Sequence, residues 1–182
     1  MASPTSNNTY ILFLRGINVG GNKKVPMADL KKLLLSLGFQ NVKTYLASGN
    51  ASFDAQTKPT AAEIERQIEK TFGFPVDTII RTLPELQKIR QSDPFASINV
   101  TNEIRRYVTF LADKTASSLS IPYTSPDKSF QMLSVTKSEI FSVLDLAIAN
   151  TPEAMNILEK SYGKKITTRN WNTILKIIDS LG

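Results

Sequence analysis

The chain has 182 residues, 41% of them hydrophobic, which is enough for one large domain or two small ones with real cores. It has no histidine and no cysteine, which excludes disulfides, thiolate nucleophiles, Ser-His-Asp triads and ordinary zinc or copper sites; neither a metal nor a cofactor is expected. The net charge of +6 is uneven, because Arg15, Lys23, Lys24, Lys31, Lys32, Lys43 and Lys58 face only Asp29 and Asp54 up to that point of the chain. Such a bias is either a solvated surface or a face that attracts nucleotides, nucleic acid or phosphorylated metabolites.

Residues 1–8 are polar, with no basic and apolar leader, and no stretch is long enough to span a bilayer. A disordered N-terminus, a cytoplasmic location and no membrane partner are therefore expected. Tyr10 to Leu14 reads as a buried strand, and Pro26 followed by Met27, Leu30, Leu33, Leu34 and Leu37 reads as a helix ending at Gly38. Between them runs Arg15-Gly16-Ile17-Asn18-Val19-Gly20-Gly21-Asn22-Lys23-Lys24. Glycines ahead of a helix N-terminus allow close approach of backbone to a ligand, and free amides there favour an anion. Gly16 and Gly21 have the spacing of a phosphate-cradling P-loop, but Asn22 replaces its lysine and Lys23 its magnesium-binding hydroxyl, so nucleoside triphosphate hydrolysis is unsupported. A Gly-x-Gly-x-x-Gly dinucleotide fingerprint is absent too. The loop is thus either an anion site or a turn that lets strand and helix pack.

Two strands follow, from Asn41 to Ala47 and from Asn50 to Phe53, joined by Ser48-Gly49-Asn50, a tight turn that also offers a hydroxyl and an amide to a ligand. Thr60 and Glu63 form a capping box for a helix with Ile64, Ile68 and Phe72 on one face, closed by Gly73. Val76 to Arg81 supplies a fourth strand, giving the order β-α-β-β-α-β of a ferredoxin-like unit. Any site is expected on the open sheet face or at the strand ends. A short helix from Thr82 runs out near Phe95, which places the domains at 9–95 and 96–182.

The second half begins with a strand from Ile104 to Leu111 and a weak helical piece around Thr115 to Leu119, then a turn-rich loop from Ile121 to Asp127. Phe130 to Val135 and Glu139 to Leu146 form a hairpin, and Thr151-Pro152-Glu153 starts a helix with Thr151 as N-cap. The final segment reads as a helix capped by Thr167 or Thr168, with Trp171 as core anchor and Arg169, Thr173 and Lys176 along one polar side. The fold class is therefore α+β: a ferredoxin-like unit, then a smaller α+β subdomain ending in two helices, a degenerate copy of the first with its last strand replaced by a helix.

Three stretches, LRGINVGGNKKVPMADLKKLLLSLGF, TYLASGNASF and TTRNWNT, resemble the signatures of a bacterial family catalogued as a domain of unknown function (number 1697), from about Tyr10 to the C-terminus. The resemblance implies an α+β protein with a ferredoxin-like N-terminal unit and no established activity. It marks Arg15, Gly16, Asn18, Gly20, Gly21, Lys24, Pro26, Met27, Ser48, Gly49, Asn50, Arg169, Asn170 and Trp171 as defining positions.

The reading that follows is a binding protein for a phosphate-bearing ligand, a nucleotide or nucleic acid, with Arg15, Gly16, Asn18, Gly20, Gly21, Lys23, Lys24, Ser48, Asn50, Arg169, Asn170 and Lys176 as ligand-binding residues. Direct reading of RNA by the sheet is disfavoured, since Asn50-Ala51-Ser52-Phe53 offers a single aromatic. An enzyme acting on a small anionic substrate is the alternative, with no convincing general base, and a dimerisation module is the third reading. Monomer and homodimer are both compatible with the sequence.

Overall fold

The computed structural model describes residues 8–21, 23–45, 49–113 and 119–182. The disorder expected of residues 1–8 lies outside these except for Asn8, which already begins a strand, and the helical piece expected around Thr115 lies outside them but for Leu119. The chain divides into two compact units, Met1–Gln87 and Lys88–Gly182. It is an α+β protein with two antiparallel sheets. Among the described residues no helix is long and apolar enough to cross a membrane.

In the first unit the strands are β1 (Asn8–Leu14), β2 (Gln40–Tyr45), β3 (Asn50–Ala55) and β4 (Thr78–Thr82), in the order β2-β3-β1-β4. Helices α1 (Met27–Ser36) and α2 (Ala61–Phe72) connect β1 to β2 and β3 to β4. Alternation along β1 sends Tyr10, Leu12 and Leu14 to the side where Leu30, Leu33 and Leu34 of α1 and Ile64 and Ile68 of α2 complete one core. The capping box at α2 is present, with Glu63 N–H donating to Thr60 Oγ1 and Thr60 N–H to Glu63 Oε2, and Gly73 ends the helix in the left-handed conformation.

The sheet face expected to stay open is not open. Ile11 and Phe13, which point away from α1 and α2, are both fully buried. The sequence carried this signal: an unbroken apolar run from Tyr10 to Leu14 marks a strand covered on both faces.

Helix α3 (Leu83–Ser92) follows β4 directly, with Thr82 and Glu85 exchanging hydrogen bonds at its start. In the second unit the strands are β5 (Ile104–Leu111), β6 (Tyr123–Thr124), β7 (Phe130–Val135), β8 (Glu139–Asp145) and β9 (Ile166–Asn170), in the order β6-β7-β8-β5-β9. Helix α4 (Thr151–Tyr162) lies between β8 and β9, and α5 (Trp171–Asp179) follows β9.

Two details correct the sequence reading. The N-cap of α4 is Asn150, whose side chain accepts from Glu153 N–H, while the Thr151 hydroxyl is engaged with Tyr107 Oη at 3.1 Å. The loop at Ile121 to Asp127 contains the short strand β6, paired to β7.

The larger correction is that no strand has been replaced by a helix. Strand β9 occupies in the second sheet the place of β4 in the first, and β7-β8-β5-β9 repeats β2-β3-β1-β4. Register makes the repeat specific to residues. Tyr10 lies opposite Thr82 and Leu14 opposite Thr78, as Tyr107 lies opposite Asn170 and Leu111 opposite Ile166. Tyr10-Ile11-Leu12-Phe13-Leu14 therefore superimposes in register on Tyr107-Val108-Thr109-Phe110-Leu111. By the same register Arg81, opposite Ile11, is the counterpart of Arg169, opposite Val108. Each arginine also donates from a guanidinium nitrogen to the carbonyl of the residue before it, at 3.0 and 2.9 Å.

The core of the second unit joins Tyr107 and Leu111, Phe130 and Met132, Ile140 and Leu144 to Ala154, Leu158 and Tyr162 of α4. Ser142 sits between Ile140 and Leu144 on β8, fully buried, with a hydroxyl that meets no hydrogen-bond partner among the described residues. A buried hydroxyl left unsatisfied costs roughly 1–3 kcal/mol in desolvation. Ser142→Ala is expected to raise stability by about 1 kcal/mol in urea titration, and a loss of stability would mean that the hydroxyl is satisfied after all.

Candidate functional site

The Arg15 to Val25 connection is a folded loop closed by its own side chain. Asn18 Nδ2 donates to Val25 O at 3.0 Å, and Val25 N–H donates back to Asn18 Oδ1 at 2.9 Å. Asn18 N–H also reaches Lys23 O at 3.2 Å. These bonds staple the two ends of the glycine turn, and Ile17 and Val25 beside them are buried in the core. Asn18 and Lys23 hold φ values of 57° and 49°, a region that Asn tolerates better than most side chains. The Asn18 side chain, expected as a ligand donor, is therefore occupied in holding the loop.

Two of the three cations are tied down in the same way. Arg15 N–H donates to Asp77 O at 2.9 Å and its guanidinium lies 3.8 Å from the Asp77 carboxylate. Lys23 Nζ donates to Pro75 O at 2.8 Å. Both partners belong to the segment between α2 and β4, so the loop is anchored by residues far from it in sequence. Lys24 differs: it is exposed and makes no hydrogen bond or ion pair with the described residues. It precedes α1, whose N-cap is Pro26 and whose start has no side-chain cap. Beside it Gly20, Gly21 and Val19 are exposed, Val19 to 71%.

The first two motifs meet within the first unit. Leu14 N–H donates to Gly49 O at 2.8 Å, and Gly49 packs so closely on the loop that a Cβ there would lie 2.7 Å from Ile17 Cδ1. Asn50 is fully buried and donates to Tyr45 O at 3.1 Å, closing the β2-β3 hairpin. Ser48 lies outside the described residues. The Gly49-Asn50 pair thus supports the loop from beneath.

The third motif is redistributed by the structure. Arg169 is on strand β9 and not on a helix, only 8% exposed, and its guanidinium donates to Thr167 Oγ1 and Thr168 O, each at 2.9 Å. Removal from water disfavours the charged form and pushes its pKa down to about 10, still well above neutrality. Asn170, and neither threonine, caps α5 by accepting from Asn172 N–H at 2.9 Å. Trp171 is buried, as expected, and packs beside Phe95 with ring centroids 5.5 Å apart. The arginine, the cap and the anchor each have a place in the fold. Lys176 is exposed in the last turn of α5, where a cation favours the helix dipole.

That Arg169 lies on a strand where a helix was expected has a visible cause. Ile166-Thr167-Thr168 is β-branched throughout, which favours a strand, but threonine is also a common N-cap. Asp77 and Pro75, which hold Arg15 and Lys23, carried no local signal.

Among the described residues no cluster of three or more Asp or Glu side chains could hold a metal ion. No curated protein matches the chain. A solved structure of a conserved bacterial protein, SP0830 from Streptococcus pneumoniae, has the same fold with a TM-score of 0.69 and 23% identity, over 97% of this chain and 100% of that one. The model of a family described as proteins of unknown function, DUF1697, matches residues 8–141, and the chain belongs to that family.

Proposed function

We propose that the chain binds a phosphate-bearing ligand, a nucleotide or nucleic acid, over the exposed side of the Gly20-Gly21 turn. The observation that carries this reading is Lys24, an exposed cation with no partner among the described residues, placed just ahead of a helix start that has no side-chain cap and carries Asp29 in its first turn. The first turn of a helix presents amides and the positive end of its dipole, which favours an anion by about 0.3–1 kcal/mol at an exposed position. Asn18, Lys23 and Gly49 then serve the site by holding the loop's shape.

The test is a thermal-shift screen against inorganic phosphate, nucleotides, phosphosugars and short single- and double-stranded nucleic acids, at low and high salt, comparing the native chain with Lys24→Glu. A midpoint raised by a nucleotide or oligonucleotide and lost in Lys24→Glu supports the reading. Persistence at high salt points to a shaped pocket, and loss with salt to a diffuse basic surface. If no phosphate compound raises the midpoint, or Lys24→Glu responds like the native chain, the loop is structural.

A further inference from the structure

At the end of the first sheet remote from the glycine loop, an open cavity of about 330 Å³ is lined by Leu37, Gly38, Phe39, Gln40, Asp54 and Gln56, among others. That volume is within the range of small-molecule sites. Its chemistry is opposite to that of the loop at the other end of β1.

Three features of this cavity attract a cation. The first is the Asp54 carboxylate, which is set in place by one donor on each oxygen: Thr9 Oγ1 gives a hydrogen bond to Oδ1 and Asn41 Nδ2 one to Oδ2, both at 2.7 Å. Both donors are neutral, and among the described residues neither oxygen pairs with a lysine or arginine. Each oxygen can accept a further bond. The second is the C-terminal end of α1. Leu37 and Gly38 close that helix, and its last turn has no basic residue to offset the negative end of the dipole. The third is the Phe39 ring, stacked on Phe53 with centroids 4.2 Å apart, which adds an aromatic wall of the kind that favours cations.

The backbone beside the cavity is also unusual. Asn41, which supplies the Oδ2 donor, holds φ at 51°, a left-handed conformation that Asn accepts, within a β-bulge between Gln40 and Lys43. Bulges re-aim side chains. Here the side chain aimed is the one that orients Asp54.

We infer that this cavity is a site for a small organic cation, an ammonium or guanidinium group whose charge meets Asp54 and whose apolar stem lies along Leu37 and Phe39. Free polyamines and the lysine side chain of a polypeptide share this chemistry. The test is a two-dimensional amide NMR titration with agmatine, n-butylamine and a lysine-containing dipeptide, with 1-butanol as the uncharged control. The expected result is saturable shifts at Gly38, Phe39, Gln40 and Ala55 with the amines and none with butanol. Affinity should fall at least tenfold in Asp54→Asn, and equally in Thr57→Lys, since Thr57 is an exposed residue of the same lining and a lysine there places a competing ammonium. The Thr57→Lys variant decides the matter if Asp54→Asn does not fold. A stronger response to the dipeptide than to agmatine assigns the site to a polypeptide, and the reverse to a free amine. Absence of saturation with every amine, equal shifts with butanol, or undiminished affinity in both variants would overturn the inference.

Discussion

Gly49→Ala is expected to destabilise the first unit by about 2–5 kcal/mol, a large share of the stability of an ordinary domain. Two costs combine. Gly49 has φ of 80°, and placing an L side chain in that region costs roughly 1–2 kcal/mol. The added methyl would also lie 2.7 and 2.9 Å from the Ile17 side chain and 2.9 Å from Leu14 Cβ. Overpacking of a close-packed core typically costs a further 1–3 kcal/mol, because neighbouring side chains must leave their rotamers. Leu14 cannot move to relieve the contact, since β1 is paired on both sides and its N–H is bonded to Gly49 O.

A second glycine separates the two terms. Gly73 has the same φ of 80° but nothing within 4 Å of a Cβ, so Gly73→Ala should cost only the conformational part, about 1–2 kcal/mol. The measurement is the denaturant midpoint of each variant. Equal losses at the two positions would remove the close approach of the Gly49 turn to the glycine loop from the account. A larger loss at Gly49 would mean that the first two family motifs are one packed unit, and that Gly49 is required for the loop's shape whatever the loop binds.

The architecture was legible where local rules and the global fold agree. Thr60-x-x-Glu63, the apolar stripe of α1 and the hairpin from Phe130 to Asp145 each give one answer at both levels, so pattern and structure coincide. Reading failed where one residue type serves two purposes. Thr167 and Thr168 are good strand residues and good caps, and only the pairing of β9 with β5 decides between them. The glycine loop was legible as a turn and illegible in what holds it: a glycine turn before a helix is visible in sequence, whereas the bonds from Lys23 to Pro75 and from Arg15 to Asp77 span most of the unit. The Asp54 cavity gave no motif at all, because its lining comes from a helix end, a bulge and the end of a neighbouring strand.

Arg169 is where the structural and ligand-binding readings of the third motif diverge most, and its replacement separates them. Arg169→Ala is expected to cost about 2–4 kcal/mol, since it removes a buried side chain and its bonds to Thr167 Oγ1 and Thr168 O. Arg169→Met should cost less, because the stem keeps its packing while the penalty of a buried charge disappears. That penalty is already visible in the lowering of the arginine's pKa to about 10 by burial. A charge whose folded pKa is depressed in this way opposes folding at neutral pH, and the opposition fades only above that value. Urea titrations of the three proteins, each repeated with the strongest phosphate ligand found, supply the comparison. Methionine better tolerated than alanine, with the same ligand-induced gain in all three, makes Arg169 a structural residue of β9. Near-native stability in both variants with the gain abolished would instead make it a ligand group, and would require its side chain to leave the position it now holds against Thr167.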